Sequence, residues 1–162
     1  MPEIADLSLE IAKRAARLSA MLDSAALAKV TRLDLTRAEY EVLATLRRVG
    51  APYRLRPAEL ASELLLSSGG TSNVVRRLRE LGFVTREANS SDGRSSWVQL
   101  TDAGVVMAER AVRAAVAAQG ELLRDIPKRT KRTLADLLRV MLLELGDDAS
   151  ESDEPDVLSH VG

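Results

Sequence analysis

Along most of this chain apolar residues recur every three or four positions, and only between Phe83 and Thr101 does the period fall to two. In residues 4–30 the positions Leu7, Ile11, Ala15, Leu18, Leu22, Ala25 and Leu27 trace one face of a long amphipathic helix. Thr36 stands three places before Glu39, the spacing of a capping box, and the helix it opens should end at Gly50. Pro57 suits the first turn of a short helix over residues 57–64, with Leu60, Ala61 and Leu64 on one side. Ser67 and Ser68 then offer hydroxyl caps, Gly69 and Gly70 permit a tight approach between helices, and a second helix begins near Ser68. Its buried stripe is Thr71, Val74, Val75, Leu78 and Leu81, and Gly82 occupies the left-handed position after its end. Residues 83–87 and 97–101 alternate and predict two strands, joined by a polar loop with a turn signal at Asp92-Gly93. Two further helices follow over residues 102–124 and 127–145.

These elements predict a mainly α fold with a small β-hairpin wing: a winged helix-turn-helix between N- and C-terminal dimerisation helices. The second helix of the pair leaves Ser72, Asn73, Arg76, Arg77 and Arg79 on its polar face. Short hydroxyl and amide groups near a helix N-terminus can reach base edges in a major groove, and arginines reach guanine or phosphate. On charge alone Arg76, Arg77 and Arg79 also fit an ordinary solvated face; the capped, glycine-flanked turn before them favours DNA. The candidate roles are base reading by Ser72, Asn73 and Arg76, with Thr71 beside them, and phosphate contact by Ser68 and Arg77. Asn73 has the strongest claim, since its amide matches adenine N6 and N7. Arg94, near the tip of the wing, can enter a minor groove, and Asp92 can fix an arginine rotamer.

The order Leu35-Thr36-x-x-Glu39-Tyr40-x-Val42-Leu43, then Leu60-Ala61, then Asn73-x-x-Arg76-Arg77-Leu78-x-x-x-Gly82, then Asp92-x-Arg94-x-x-x-Val98-x-Leu100-Thr101-x-x-Gly104 resembles the MarR family of bacterial transcriptional regulators. The likeness runs over about residues 5–146, and its most specific part is the Asp-x-Arg wing joined to Val-x-Leu-Thr-x-x-Gly. It implies a homodimer whose two lobes read a pseudo-palindromic double-stranded operator and release it when a small phenolic or anionic effector binds; an unassisted dimer on an operator blocks polymerase by occupancy, so a repressor is expected. Residues 33–102 are especially similar to the branch that senses urate and related anions. There Glu41 holds the acid position and Arg86 the wing position, with Tyr40 as a third candidate contact. The first helix lacks that branch's tryptophan, and Val74 stands where it has an arginine.

Composition refines this picture at the C-terminal end. The net charge of −1 conceals a division. Residues 147–162 hold six acidic groups and no Lys or Arg, so residues 1–146 carry 23 − 18 = +5. The tail reads first as a disordered, solubilising end, and second as a competitor with DNA for the basic surface. The expected organisation is an N-terminal dimerisation helix (1–34), a DNA-binding lobe (35–101), C-terminal dimerisation helices (102–146) and the acidic tail (147–162).

With 0 cysteines there is no disulfide, thiolate metal site or thiol switch. No metal site and no cofactor are expected. Catalysis is not expected either: Ser68-Gly69-Gly70-Thr71 lacks the lysine of a phosphate loop, and no nucleophile has a histidine partner. His160, the 1 histidine, falls in the tail. Nothing in the sequence has the length of an apolar membrane span or the layout of a signal peptide, so a cytoplasmic, nucleoid-associated protein is expected. The rival reading is a winged-helix module that binds protein and not specific DNA. Acidic or bulky apolar residues at 72, 73 and 76 would favour that rival, whereas Ser72, Asn73 and Arg76 favour DNA. The alanine surface of Ala108, Ala111, Ala114, Ala115 and Ala118, with Leu134, Leu137, Leu138, Met141, Leu142 and Leu145 after it, predicts helices that interlock between two chains. Trp97 is expected to pack at the base of the wing, and Tyr40 and Tyr53 at the margin of the core.

Overall fold

The computed structural model describes residues 6–64, 68–88 and 96–147, and divides into two units, residues 1–122 and 123–162. Ser67, Asp92, Gly93, Arg94, His160 and all of the acidic tail beyond Asp147, with the roles the sequence predicts for them, therefore lie outside the described residues.

In the first unit, α1 (Leu7–Val30) starts at Asp6, whose carboxylate accepts the Ser8 N–H at 3.4 Å. It closes at Thr31, whose hydroxyl donates to the Leu27 carbonyl at 2.9 Å. A single 3-10 turn, Thr31–Leu33, leads to Asp34 in the left-handed region. Helix α2 (Arg37–Arg48) opens on the expected capping box: Thr36 Oγ1 accepts the Glu39 N–H at 3.2 Å, and Glu39 Oε2 accepts the Thr36 N–H at 2.7 Å. Strand β1 (Arg54–Leu55) precedes α3 (Pro57–Glu63), which has its proline in the first turn and Glu59 reaching back to the Arg56 N–H at 2.7 Å. Helix α4 (Ser68–Glu80) is followed by β2 (Val84–Ala88), β3 (Ser96–Leu100) and α5 (Asp102–Leu122).

The sheet is antiparallel in the order β1-β3-β2. Sequence periodicity predicts only its hairpin, because β1 is too short to alternate visibly. In the hairpin Val84 faces Leu100 and Arg86 faces Val98, and on the other side Leu55 of β1 also pairs with Val98. Val84, Val98 and Leu100 are buried, together with Leu43 and Leu46 of α2, Leu60 of α3 and Leu78 of α4. Helix α5 packs on α1 and α2 through a small-residue face, with Ala108, Ala111, Ala115 and Ala118 buried and Ala114 half-buried. The Arg47 guanidinium ties α2 to α5 through Glu109 at 3.0 Å and lies 5.0 Å from the Tyr53 ring centre.

The expectation of a close approach at Gly69 is revised. A Cβ built on Gly69 meets nothing within 4 Å, so this glycine is not required by helix contact. The tight place is Gly104, where a Cβ would fall 1.9 Å from the Phe83 carbonyl oxygen. Next to it, the Thr101 hydroxyl donates to the Gly82 carbonyl at 2.7 Å and accepts the Gly104 N–H at 3.0 Å. One side chain thus caps α5 and fastens it to the exit of α4, a physical reason for Thr-x-x-Gly after the second wing strand. Leu81, expected in the buried stripe, is 37% exposed, and Val74 is half-buried.

The second unit contains α6 (Lys128–Glu144), which ends at Gly146 with a φ of +81°. Its apolar residues Leu134, Leu137, Leu138, Met141, Leu142 and Leu145 are all exposed.

Candidate nucleic-acid interface

Helix α4 sorts its residues by face. Thr71, Val75 and Leu78 point into the core, and Ser72, Asn73, Arg76, Arg77 and Arg79 are exposed. Thr71, expected both in the core stripe and beside the base-reading residues, is 2% exposed and lies with the stripe. Ser68 begins the helix, but its side chain is outside the described set, as are Asp92 and Arg94.

Three of the exposed groups are tied within the protein. Arg76 Nη2 donates to Asn73 Oδ1 at 3.3 Å, so the amide oxygen that an adenine N6 amino group would use is already engaged by a neighbouring cation. Arg77 Nε lies 3.7 Å from Glu39 Oε1. Glu39 is buried, and its two oxygens divide the work: Oε2 closes the α2 cap while Oε1 faces α4. A buried carboxylate is tolerated when it is paired and hydrogen-bonded. The α2 cap therefore also anchors the base of the Arg77 side chain, which remains 60% exposed. The capping spacing identifies Glu39, but nothing in the spacing links it to Arg77.

Cations also gather at the sheet. The Arg54 and Arg56 guanidinium carbons lie 4.7 and 5.2 Å from the ring centre of Trp97, which is half-buried on β3. Sequence reasoning missed both arginines, although Arg54-Leu55-Arg56 is a short alternating tract. Arg86 is exposed on β2, and its Nε donates to Ser96 Oγ at 3.0 Å. It borders an open crevice of about 260 Å³ with Pro57 of α3 and Thr71 and Ser72 of α4.

The three candidate ligand contacts do not converge. Tyr40 and Glu41 line a separate, smaller crevice among α1, α2 and α5, with Asp23, Arg37 and Gln119. There Arg37 is shared between Glu41 and Asp23, each at 2.8 Å. Those hydrogen bonds, Glu41 first, raise the Arg37 pKa above its ordinary value. Desolvation first, then the negative charges of Glu41 and Asp23, push the Tyr40 phenol above the ordinary tyrosine value. Two carboxylates against one guanidinium leave this crevice electronegative. Among the described residues no helix is long and apolar enough to cross a membrane.

A family model described as MarR family matches residues 33–95. The HTH-type transcriptional regulator PecS of Dickeya dadantii is 31% identical over 122 residues, 75% of this chain and 74% of that protein. An HTH-type transcriptional repressor of Mycobacterium bovis is 31% identical over 132 residues, covering 82% of this chain and 90% of its own length. Wild-type MarR from E. coli in its apo form superposes with a TM-score of 0.72 at 27% identity, over 86% of this chain and 99% of that one. A mutant of that protein complexed with operator DNA gives a TM-score of 0.68 at 25% identity, over 85% and 99% of the two chains.

Proposed function

This chain belongs to the MarR family, and we propose that it is a homodimeric repressor whose two lobes read a pseudo-palindromic operator and release it when a small molecule binds. It is a DNA-binding transcriptional regulator, as its curated relatives are named and as the operator-bound structural neighbour supports. The observation that carries the reading is the sorting of α4: apolar and small residues inside, Ser72, Asn73, Arg76 and Arg77 outside. Ser72, Asn73 and Arg76 take the base edges, and Arg77 and Ser68 the phosphates. Arg94 takes the minor groove, with Asp92 fixing an arginine rotamer.

Dimerisation is supported by the apolar residues that the single chain leaves exposed. On α6, Leu137 is 59% and Leu145 79% exposed, and on α1 Leu7 is 66% exposed. Soluble proteins seldom leave such clusters uncovered. A two-fold pair of lobes would read half-sites about one helical turn, or a multiple of it, apart. The seat of the effector is the crevice holding Tyr40 and Glu41. Its electronegative lining favours a neutral phenolic compound over an anion, since an anion would meet Asp23 and Glu41 with Arg37 already shared between them. Such a ligand acts by binding the DNA-incompetent conformation more tightly than the competent one. The working place of the protein is the nucleoid in the cytoplasm.

The test is an anisotropy titration of DNA from upstream of the protein's own gene, with unrelated DNA as competitor, at about 0.15 M salt. One dimer should bind per site and resist the competitor, and Arg76→Ala should weaken binding by about 1–3 kcal/mol and relax base preference at its position. Failure to enrich any sequence in a random-site selection would overturn specific DNA recognition.

A further inference from the structure

We propose that Arg54, Trp97 and Arg56 form a second DNA-contacting surface, in which the indole ring holds two guanidinium groups ready for phosphates beyond those met by α4. This inference rests on the DNA-binding reading above and extends it to a part of the lobe that neither the helix-turn-helix pattern nor the wing tip assigns.

Three observations carry it. First, both guanidinium groups lie within 5.2 Å of the centre of the same ring, while the side chains that bear them are exposed. Facing an aromatic ring attracts a cation without neutralising it, so each arginine is restrained and its charge stays available. Second, among the described ion pairs neither Arg54 nor Arg56 meets a carboxylate, in contrast to Arg37, Arg47, Arg48 and Arg77. The Glu59 carboxylate, the acid nearest in sequence, is hydrogen-bonded to the Arg56 backbone N–H. Third, the placement suits a polyanion that already lies on α4. Arg56 immediately precedes Pro57, which shares a crevice with Ser72 of α4 and Arg86 of β2. Trp97 sits in the wing strand that pairs with both β1 and β2. A duplex seated on α4 and reached by the wing would carry its backbone past the start of α3. Two restrained cations there lose less side-chain freedom on binding than two free arginines would.

The protein contains 1 tryptophan, so Trp97 emission reports this place directly. The experiment titrates the full chain with operator DNA between 50 and 200 mM salt, following anisotropy of labelled DNA and Trp97 fluorescence together. It compares the wild type with the double variants Arg54→Gln/Arg56→Gln and Arg54→Lys/Arg56→Lys. If each arginine neutralises one phosphate, the glutamine variant loses about 1.8 from the log–log salt slope, so its affinity ratio to wild type changes about tenfold across that range. The lysine variant retains the slope, because an ammonium serves as a point charge for phosphate. Trp97 emission should respond to DNA in the wild type. An unchanged slope in the glutamine variant overturns the proposal, and so does an equal loss in the lysine variant, which would mean that ring packing and not charge was removed. In both cases the wild type still binds the operator, so the DNA reading stands. Failure of the wild type to bind any DNA would sink the reading itself.

Discussion

Helices α4 and α6 are both amphipathic, yet they meet opposite fates within the chain. Helix α4 buries Thr71, Val75 and Leu78 and leaves its cations outside. Helix α6 carries a larger set of leucines, and Leu134, Leu137, Leu138, Met141 and Leu142 stay between 39% and 59% exposed. An apolar stripe that finds its partners in the same chain contributes to the folding of that chain. One that does not is stabilised only by whatever covers it, so its contribution depends on concentration. The pair separates a stripe buried within its own unit from an exposed one that the proposed second copy would cover.

The largest expected effect tests that division directly. Leu78 is fully buried, and Leu78→Ala should lower stability by about 2–5 kcal/mol at any protein concentration. Leu137→Arg, on α6, should instead shift Tm in a concentration-dependent way and displace the monomer–dimer equilibrium in sedimentation. An unaltered sedimentation profile would remove α6 from the interface. Next in size is Gly104→Ala, whose methyl carbon would sit 1.9 Å from a backbone oxygen that no rotamer change can move. About 1–3 kcal/mol of destabilisation should follow, read in urea melts. A neutral result would mean that α5 can slide away from Phe83 without penalty.

Arg77→Ala should move function far more than stability. The pairing of this arginine with Glu39 spans 3.7 Å and the side chain is 60% exposed, so solvent limits the pair to under about 1 kcal/mol. Loss of one phosphate contact should nonetheless reduce the log–log salt slope of operator binding by about 0.9. A large fall in Tm with no change of slope would turn Arg77 from a DNA contact into a prop for the buried carboxylate.

What could be read in advance follows from how far apart the cooperating residues lie. Within one helix, period and caps suffice: Thr36 and Glu39, Pro57, and the stripe of α4 around Val75 and Leu78 stand in the structure as their spacing predicts. Between elements, spacing is silent. The pairs Arg54–Trp97, Glu39–Arg77 and Gly104–Phe83 join residues from different elements. Strand β1 has two residues, too few for their alternation to stand out from the sequence around them. Thr71 admits two readings because a small hydroxyl residue suits both a groove and a core, and spacing alone does not choose between them. Conversely, Gly69 invites a close-contact reading that the open space around it does not require. The likeness to a family supplied Thr101 and Gly104 as a motif; their hydrogen bonds and contact supply the cause.

The smallest expected effect concerns the crevice beside α2, where the phenol of Tyr40 is the natural probe. Its pKa is raised, first by burial and then by Glu41 and Asp23, so the folded state favours the neutral form. A group whose folded pKa exceeds its unfolded value of about 10 stabilises fully below that value, and its contribution is lost as pH rises through the folded pKa. Alkaline ultraviolet titration of wild type against Tyr40→Phe should therefore show the Tyr40 band appearing above the ordinary tyrosine range. Glu41→Gln should bring it part of the way back, because burial, the larger cause, remains. If Glu41→Gln leaves the titration where it was, the crevice is not electronegative at Tyr40. The preference for a neutral phenolic effector would then lose its electrostatic ground.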